Sequence, residues 1–243
     1  NALEQNVYTR AWQSISKTLG RPSAVVAVSA HWYLPGTRVT AMEQPRTIHD
    51  FAGFPRELYE VSYPAPGEPA LARRLAQLLQ PLQVQLDEEW GLDHGTWSVL
   101  KHVFPAADVP VIQLSIDATQ APAFHHEVGQ RLAPLRDEGV LVIGSGNVVH
   151  NLRTYAWRRR VIEPYDWAVR FDALVRQALA SGDQRTLIEY QELGEDARLS
   201  VPSPEHYLPL LYVLGLRSAG EPVAFPTQGI EGGSISMLSV QIG

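Results

Sequence analysis

Three short runs of aliphatic residues, separated by segments with helical spacing, constrain the fold more than any other feature. The runs are AVVAVS at residues 24–29, VIQLSI at 111–116 and VLVI at 140–143. Continuous apolar runs of this length are typical of strands that are buried on both faces of a parallel sheet. We therefore predict an α/β fold with a single domain, in which helices cover both faces of a central, mostly parallel but mixed sheet.

The rest of the chain continues this alternation, and no low-complexity linker divides it, so residues 1–243 are predicted to form one domain. Further elements are expected from the apolar spacing and from the turn residues between them. We expect helices at about residues 4–18, 68–80, 96–104, 121–137, 165–180 and 185–193, a helix that opens at Ser203, and strands at 38–42, 84–86 and 234–242.

Composition excludes several classes of partner. No apolar run approaches the roughly 18 residues that a membrane span needs, and no charged stretch followed by an apolar one opens the chain. The formal net charge is −6, and the one basic cluster, Arg158 to Arg160, is too short to follow a phosphate backbone. We therefore expect no membrane partner, no nucleic-acid partner and a cytoplasmic location.

The chain has no cysteine, which excludes disulfides, thiolate nucleophiles and cysteine-type zinc sites. It also lacks a GxSxG elbow, a Walker loop and a GxGxxG motif after a strand, so nucleotide cofactors are not indicated. Any metal must be held by histidine, aspartate or glutamate. Histidines with a carboxylate nearby suit Zn²⁺ or non-haem Fe²⁺, and the sequence alone does not separate the two metals.

Two of the eight histidines follow predicted strands. His31 comes directly after the first apolar run, and His150 lies in SGNVVHN just past the third. Ligands of open α/β sheets bind outside the carboxyl ends of the strands, so both histidines are candidates for one site. The alternative is that each ring only hydrogen-bonds a loop carbonyl.

His206 lies in SPEHYLPLLYVLG, where Ser203 suits a helix N-cap and Pro204 the first helical position. In the first turn the helix dipole disfavours imidazolium, so His206 should be neutral and able to bind a metal. Glu205 is the neighbouring carboxylate. Its alternative explanation is simple complementation of the helix dipole.

His94 lies in LDHGTW, where it can act as an acid or base without being a metal ligand. Asp93 beside it is expected either to orient the ring or to cap the helix that follows, and the alternative is a turn histidine satisfied by local backbone. The proline-rich segment 45–67 is expected to cover the site, with His49 as a residue that contacts substrate. For the histidines on predicted helices, packing is the better explanation: His102, His125 and His126.

Several segments together resemble the LigB-type, class III extradiol ring-cleavage dioxygenases over essentially the whole chain. They are VVAVSAHW, TIHDFAGFP, DHGTW, GSGNVVHNLR, PEHYLPLLYVLG and the ending EGGSISMLSVQIG. The resemblance implies an enzyme that binds a small aromatic diol and O₂ at one divalent metal, Zn²⁺ or Fe²⁺, and opens the ring beside the two hydroxyls. It leaves the oligomeric state open.

The resemblance also implies roles for particular residues. His31, His150 and His206 match the metal-site histidines, and His94 matches a histidine that assists proton transfer. In the wider superfamily the metal is held by two histidines and a glutamate, and the histidine of the NVVHN-type block acts as acid and base. Glu205 is therefore an alternative ligand to His206, and His150 is expected to be catalytic whether or not it coordinates the metal.

Family members carry a GHGSP segment with a further ligand histidine, and the resemblance implies that this segment would precede Asn1. Two other functions remain open from the residues themselves. One is a zinc hydrolase that uses metal-bound hydroxide, with His94 or Glu205 as its base. The other is a non-catalytic metal-binding module on the same fold.

Overall fold

A computed structural model describes residues 3–157 and 162–243 of the chain, so the basic cluster Arg158 to Arg160 lies outside the described residues. The strands are β1 Ala24–Leu34, β2 Thr37–Thr40, β3 Val84–Asp87, β4 Val111–Asp117, β5 Val140–Ser145, β6 Val223–Thr227, β7 Ile230–Glu231, β8 Ile235–Ser236 and β9 Ser239–Ile242. The helices are α1 Val7–Leu19, α2 Arg56–Tyr59, α3 Pro69–Leu78, α4 His94–Val103, α5 Pro122–Leu132, α6 Pro134–Asp137, α7 Asp166–Ser181, α8 Gln184–Ile188, α9 Glu195–Ser200 and α10 Leu208–Gly215, with a 3-10 turn at Tyr190–Glu192.

Five strands form the central sheet in the order β3-β2-β4-β1-β5. Strand β1 is parallel to both of its neighbours, β4 and β5, while β2 is antiparallel to β4 and parallel to β3. The three predicted apolar runs are therefore the adjacent parallel strands β4, β1 and β5, of which β5 lies at the edge of the sheet and is only partly buried. The predicted mixed, mostly parallel α/β sheet is confirmed.

Alternate residues of β1 face two separate apolar cores. Val26 and Val28 belong to the core that contains residues of α5 and α10, whereas Val25 and Ala27 belong to the core that contains Trp97 of α4. These four side chains of β1 have no exposed surface. Successive side chains of a strand point to opposite faces, so the continuous apolar run exists because helices cover both faces of the sheet.

The C-terminal strand that we expected at 234–242 is interrupted. Strand β8 pairs with β7, and β9 pairs with β6, in two small ladders outside the central sheet. At the end of β8, Ser236 donates its backbone N–H to Val149 and its hydroxyl to Asp172, and the carbonyl of Met237 accepts from Thr227. Because the backbone makes these contacts, residues 234–242 do not form one continuous strand.

The helix that we expected to open at Ser203 begins later, at Leu208. Ser203 does not cap it, because its hydroxyl donates to Glu205 at 2.7 Å. A turn precedes the helix, in which the N–H groups of Tyr207 and Leu208 both donate to the carbonyl of Pro204. His206 therefore lies just before α10 rather than in its first turn.

In the described ranges, 3–157 and 162–243, no helix combines the length and the apolar character needed to cross a bilayer.

Candidate active site

Four histidines meet where the central strands end. His31 lies in β1, where the register against β4 shifts between Val28 and Tyr33. Such irregularities re-aim side chains and are frequent next to active sites. His94 is the first residue of α4, His150 follows β5, and His206 lies in the turn before α10. The candidate histidines named from the sequence are thus brought together by four different parts of the chain.

The four rings form one continuous cluster. The ring centroids of His94 and His31 lie 3.9 Å apart, and those of His31 and His206 lie 5.3 Å apart. His206 and His150 are stacked at 3.4 Å with an interplanar angle of 8°. Each ring is therefore within direct reach of the next.

Two carboxylates complete this cluster and divide its donor atoms into two groups. One group is His31, Asp50 and His94, and the other is His150, Glu205 and His206; within each, the ligand atoms all lie within 4.8 Å of one another. The donors are imidazole nitrogens and carboxylate oxygens, the set that suits zinc or non-haem iron. The residues fit a divalent metal, and the predicted ligand set of His31, His150 and His206 takes members from both groups.

Asp50 is a site residue that the sequence did not single out. Its Oδ2 lies 3.1 Å from Nδ1 of His31, and its Oδ1 lies 3.0 Å from Nδ1 of His94. The backbone N–H of His94 also donates to Oδ1 at 2.9 Å. The only sequence signal was its place in the irregular TIHDF segment, where attention fell on His49 instead.

The same contacts keep Asp50 ionised. Burial would raise the pKa of this carboxyl, but hydrogen bonds from His31 and His94 outweigh burial and hold the pKa well below its usual range. Nδ1 of His94 lies 3.0 Å from Oδ1 of Asp50, but the angle does not meet that of a hydrogen bond. Catalytic hydrogen bonds often have such geometry and tighten when substrate binds.

His49 has a structural role. Its Nε2 lies 2.9 Å from the carbonyl of Val61, and its ring packs against Trp97 at 5.8 Å. Trp97 in turn donates its indole N–H to the carbonyl of Ile48 at 2.8 Å. These contacts fix the segment that carries Asp50, and a contact of His49 with substrate stays a prediction.

Asn147 fixes the tautomer of His206. Its amide group donates to the carbonyl of Ser236 at 2.7 Å, so its Oδ1 is the atom that faces Nδ1 of His206 at 3.2 Å. An amide oxygen can only accept. His206 therefore carries its hydrogen on Nδ1, and its Nε2 keeps a free lone pair for a metal.

His150 and His206 are neutral at physiological pH. Burial lowers the pKa of His150 to about 4, with His31 lowering it further and Glu205 opposing the change. Burial, and then the neighbouring histidines, lower the pKa of His206 well below its ordinary value. The neutrality predicted for His206 is thus present, but its cause is burial and ring crowding rather than the helix dipole.

Two glycines allow the histidine-bearing segments to approach closely. A Cβ on Gly95 would lie 2.5 Å from Oγ of Ser29 and 3.0 Å from Cδ2 of His31. A Cβ on Gly146 would overlap the backbone carbonyl of His206.

Asp93 caps α4 by accepting the N–H of Thr96 at 3.0 Å. Of the two roles expected for Asp93, capping is therefore the one observed, and Asp50 contacts the ring of His94.

Aromatic side chains adjoin the histidine cluster on one side. Phe51 meets His94 edge-on, with centroids 5.2 Å apart and planes at 90°. Tyr59 packs on Phe51 at 4.9 Å, and Phe54, which is 43% exposed, packs on it at 5.4 Å. Trp32 is fully packed against Trp90 and does not line this surface. Phe51 is therefore the aromatic ring placed closest to the candidate base, His94.

The three helical histidines assigned to packing are buried. His102 lies on α4, where its ring contacts Trp12, and His125 and His126 lie on α5. Nδ1 of His125 is 3.0 Å from the hydroxyl of Tyr212.

Four histidines and two carboxylates lie together beside a mixed α/β sheet. This fold and this set of donor atoms define a class of protein with a histidine-rich metal site. The model of the catalytic LigB subunit of aromatic ring-opening dioxygenases matches residues 3–232. The chain therefore belongs to the LigB family and is an aromatic ring-opening dioxygenase of the extradiol type.

Named relatives agree with this assignment. The chain is 56% identical to the 4,5-DOPA dioxygenase extradiol of Escherichia coli, over 100% of this chain and 90% of that protein. It is 39% identical to the Beta vulgaris protein of the same name, over 83% and 75% of the two chains. The crystal structure of an uncharacterized Escherichia coli K12 protein superposes with a TM-score of 0.87 at 52% identity, covering 99% of this chain and 94% of that one.

Proposed function

We propose that this chain uses one divalent metal and O₂ to open the ring of a catechol beside its two hydroxyl groups. The observation that carries the proposal is the cluster of four histidines next to Asp50 and Phe51, in a chain of the ring-opening dioxygenase family. The cluster offers metal ligands, a base and an aromatic contact within one site.

His31, His150 and His206 are proposed as the metal ligands. Support comes from the ring contacts that join them and from the low pKa of His150 and of His206, which leaves their nitrogens unprotonated. Asn147 supports the assignment of His206 because it leaves Nε2 of that ring as the free donor. Glu205 lies in the same group and is the alternative ligand at this end of the cluster.

His94 is proposed as the base that takes a proton from a catechol hydroxyl. A catechol must lose at least one proton to chelate a metal, and a neutral imidazole nearby can accept it. Asp50 is a fixed negative charge beside Nδ1 of His94, so it favours the protonated ring once the proton has moved. His150 is proposed as a second acid-base group because it lies in the same cluster and is neutral.

Iron(II) is the proposed functional metal, since it supplies the one-electron chemistry with O₂ that zinc lacks. The histidine cluster would also hold zinc, which would give a folded but inactive protein.

The proposed substrates are small catechols, with DOPA first because relatives in Escherichia coli and Beta vulgaris are named for it. The edge-on packing of Phe51 against His94 supports an aromatic substrate, because a ring bound beside the base would contact Phe51. Other catechols such as caffeate meet the same chemical requirement.

The division of roles is tested by single alanine variants. His31→Ala and His206→Ala should lose metal, whereas His94→Ala should keep metal and lose turnover. Elemental analysis of the three purified proteins measures the first effect. Oxygen uptake after anaerobic loading with Fe²⁺ measures the second, with zinc-loaded protein as the inactive control. Equal metal loss in all three variants would contradict the assignment of His94.

A further inference from the structure

We propose that Asp50 is a positioning residue that sets the tautomers of two histidines at once, leaving Nε2 of His31 free for the metal and Nε2 of His94 free to act as base. This inference rests on the proposed roles of His31 and His94. It assigns Asp50 to orienting them rather than to holding the metal.

Each oxygen of Asp50 serves a different ring. Oδ2 is 3.1 Å from Nδ1 of His31, and Oδ1 is 3.0 Å from Nδ1 of His94. A carboxylate can only accept hydrogen bonds when ionised. Nδ1 of each ring therefore faces an acceptor and is the nitrogen that carries hydrogen in the proposed tautomers, which leave the lone pair on Nε2. At Nδ1 of His94 the angle to Oδ1 is outside the range of a hydrogen bond, and the backbone N–H of the same residue makes the bond to Oδ1.

The position of the carboxylate is fixed by the backbone around it. The N–H of His94 donates to Oδ1 at 2.9 Å. Upstream, Thr47 pairs with Leu92, Ile48 donates to the carbonyl of Leu92 at 2.8 Å, and the hydroxyl of Thr47 accepts from Tyr63 at 3.0 Å. The segment before Asp50 is thus tied to the chain that leads into α4, so the carboxylate and His94 move together.

The backbone contact makes the two ends of the carboxylate unequal. Oδ1 faces two groups of His94, its backbone N–H and its Nδ1, whereas Oδ2 faces the ring of His31. In an Asp50→Asn variant the amide oxygen should take the Oδ1 position, because the backbone N–H requires an acceptor there. The new NH₂ group would then face His31.

An NH₂ group facing Nδ1 of His31 reverses the tautomer of that ring. Nδ1 must become the acceptor, the hydrogen moves to Nε2, and Nε2 can no longer bind a metal. His94 keeps its original tautomer. Changes to groups that orient metal-bound histidines typically cost about 10- to 100-fold in metal affinity, so we expect a loss of this size for zinc. An Asp50→Ala variant removes the acceptor from both rings.

The test is nitrogen NMR of the full chain with labelled histidines and without metal, which reports the tautomer of each ring. Spectra of His31→Gln and His94→Gln assign the two signals. In the unaltered chain both rings should carry hydrogen on Nδ1, and in Asp50→Asn His31 alone should switch. Zinc affinity, measured by chelator competition, should fall in Asp50→Asn by the factor given above.

Asp117→Asn is the matched control. Asp117 is also a buried carboxylate at a strand end, but it accepts hydrogen bonds from Gly36 and Thr119. This variant should leave both tautomers and the zinc affinity unchanged.

Three results would overturn the assignment. One is an unchanged His31 tautomer in Asp50→Asn, and another is zinc affinity within twofold of the unaltered chain. The third is loss of zinc as complete as in His31→Ala, which would make Asp50 a ligand. All of these readouts are independent of ring cleavage, so they remain decisive even if the chain opens no catechol.

Discussion

A single methyl group added at Gly95, which is not itself a proposed ligand, should weaken metal binding by pressing on the ring of His31. Gly95 follows His94 in α4 and lies against Ser29 and His31 of β1, and its carbonyl accepts the hydroxyl of Ser145 of β5 at 2.6 Å. The Cβ of alanine would lie 2.5 Å from Oγ of Ser29 and 3.0 Å from Cδ2 of His31. Ser29 has no exposed surface, so its hydroxyl has no open space to move into, and the new methyl group must also press on the half-buried ring of His31.

The size of the effect follows from these distances. Carbon atoms in ordinary contact are about 3.5–4.0 Å apart. The new methyl group would lie 3.0 Å from the ring of His31, so the two must separate by at least about 0.5 Å. Metal–ligand distances tolerate only about 0.2 Å. We therefore expect zinc affinity to fall about 10- to 100-fold, together with about 1–3 kcal/mol of stability lost to overpacking.

Chelator competition measures the affinity of Gly95→Ala, and urea unfolding measures its stability. The double variant Ser29→Ala/Gly95→Ala removes the closest atom, the Ser29 hydroxyl, and should recover part of both losses. Ser29→Ala alone is the control. Zinc affinity in Gly95→Ala equal to that of the unaltered chain would refute the claim that His31, held at this spacing, is a ligand.

Two other predictions concern side chains beside the site, and a third concerns a buried histidine on α5. Replacing Asn147 with leucine should cost about 10- to 100-fold in zinc affinity because the ring of His206 loses its acceptor, and Asn147→Asp, which keeps an oxygen there, should restore much of it. Phe51→Ala should raise KM for a catechol about 2- to 10-fold, the equivalent of about 0.5–1.5 kcal/mol of aromatic contact, with a smaller change in kcat, while Phe54→Ala serves as the control on steady-state oxygen uptake. Burial lowers the pKa of His125 to about 4 from 6.5, so the unfolded chain binds more protons in this window and stability falls as pH drops from 6.5 towards 4. His125→Gln should remove up to about 3 kcal/mol of that acid sensitivity, as measured by urea unfolding at a series of pH values.

The central fold was predictable because its signal is local. Strands buried on both faces must be apolar throughout, so β1 and β4 stand out in the sequence whatever surrounds them. The C-terminal segment lacks such a constraint. Its division into β8 and β9 depends on contacts of Ser236 with Val149 and Asp172, which are remote in sequence.

The histidines of the site were also predictable, whereas their supporting residues were not. His31 and His150 stand out because each follows an apolar run in the sequence, and strand ends are where α/β sheets bind ligands. Strand β1 in fact continues past His31 to Leu34, and its register against β4 shifts there. Asp50 lies in a segment without periodicity, and its role appears only when the chain brings it between two rings. Asn147 is similar, because the direction of its amide is set by the carbonyl of Ser236.

The position of His206 shows how a correct expectation can rest on the wrong cause. The sequence placed it in the first turn of a helix, and the dipole explained a neutral ring. In the structure α10 begins two residues later, at Leu208. Burial and the adjacent rings lower the pKa instead.

The most direct test of the account is the balance of oxygen and catechol in the iron-loaded chain. Protein loaded anaerobically with Fe²⁺ should consume one O₂ per caffeate, a catechol without an amine that would condense with an aldehyde product. The product should have the mass of caffeate plus both oxygen atoms, and zinc-loaded protein should form none. Oxygen uptake without this product, or no uptake despite confirmed iron binding, would contradict ring cleavage at this site.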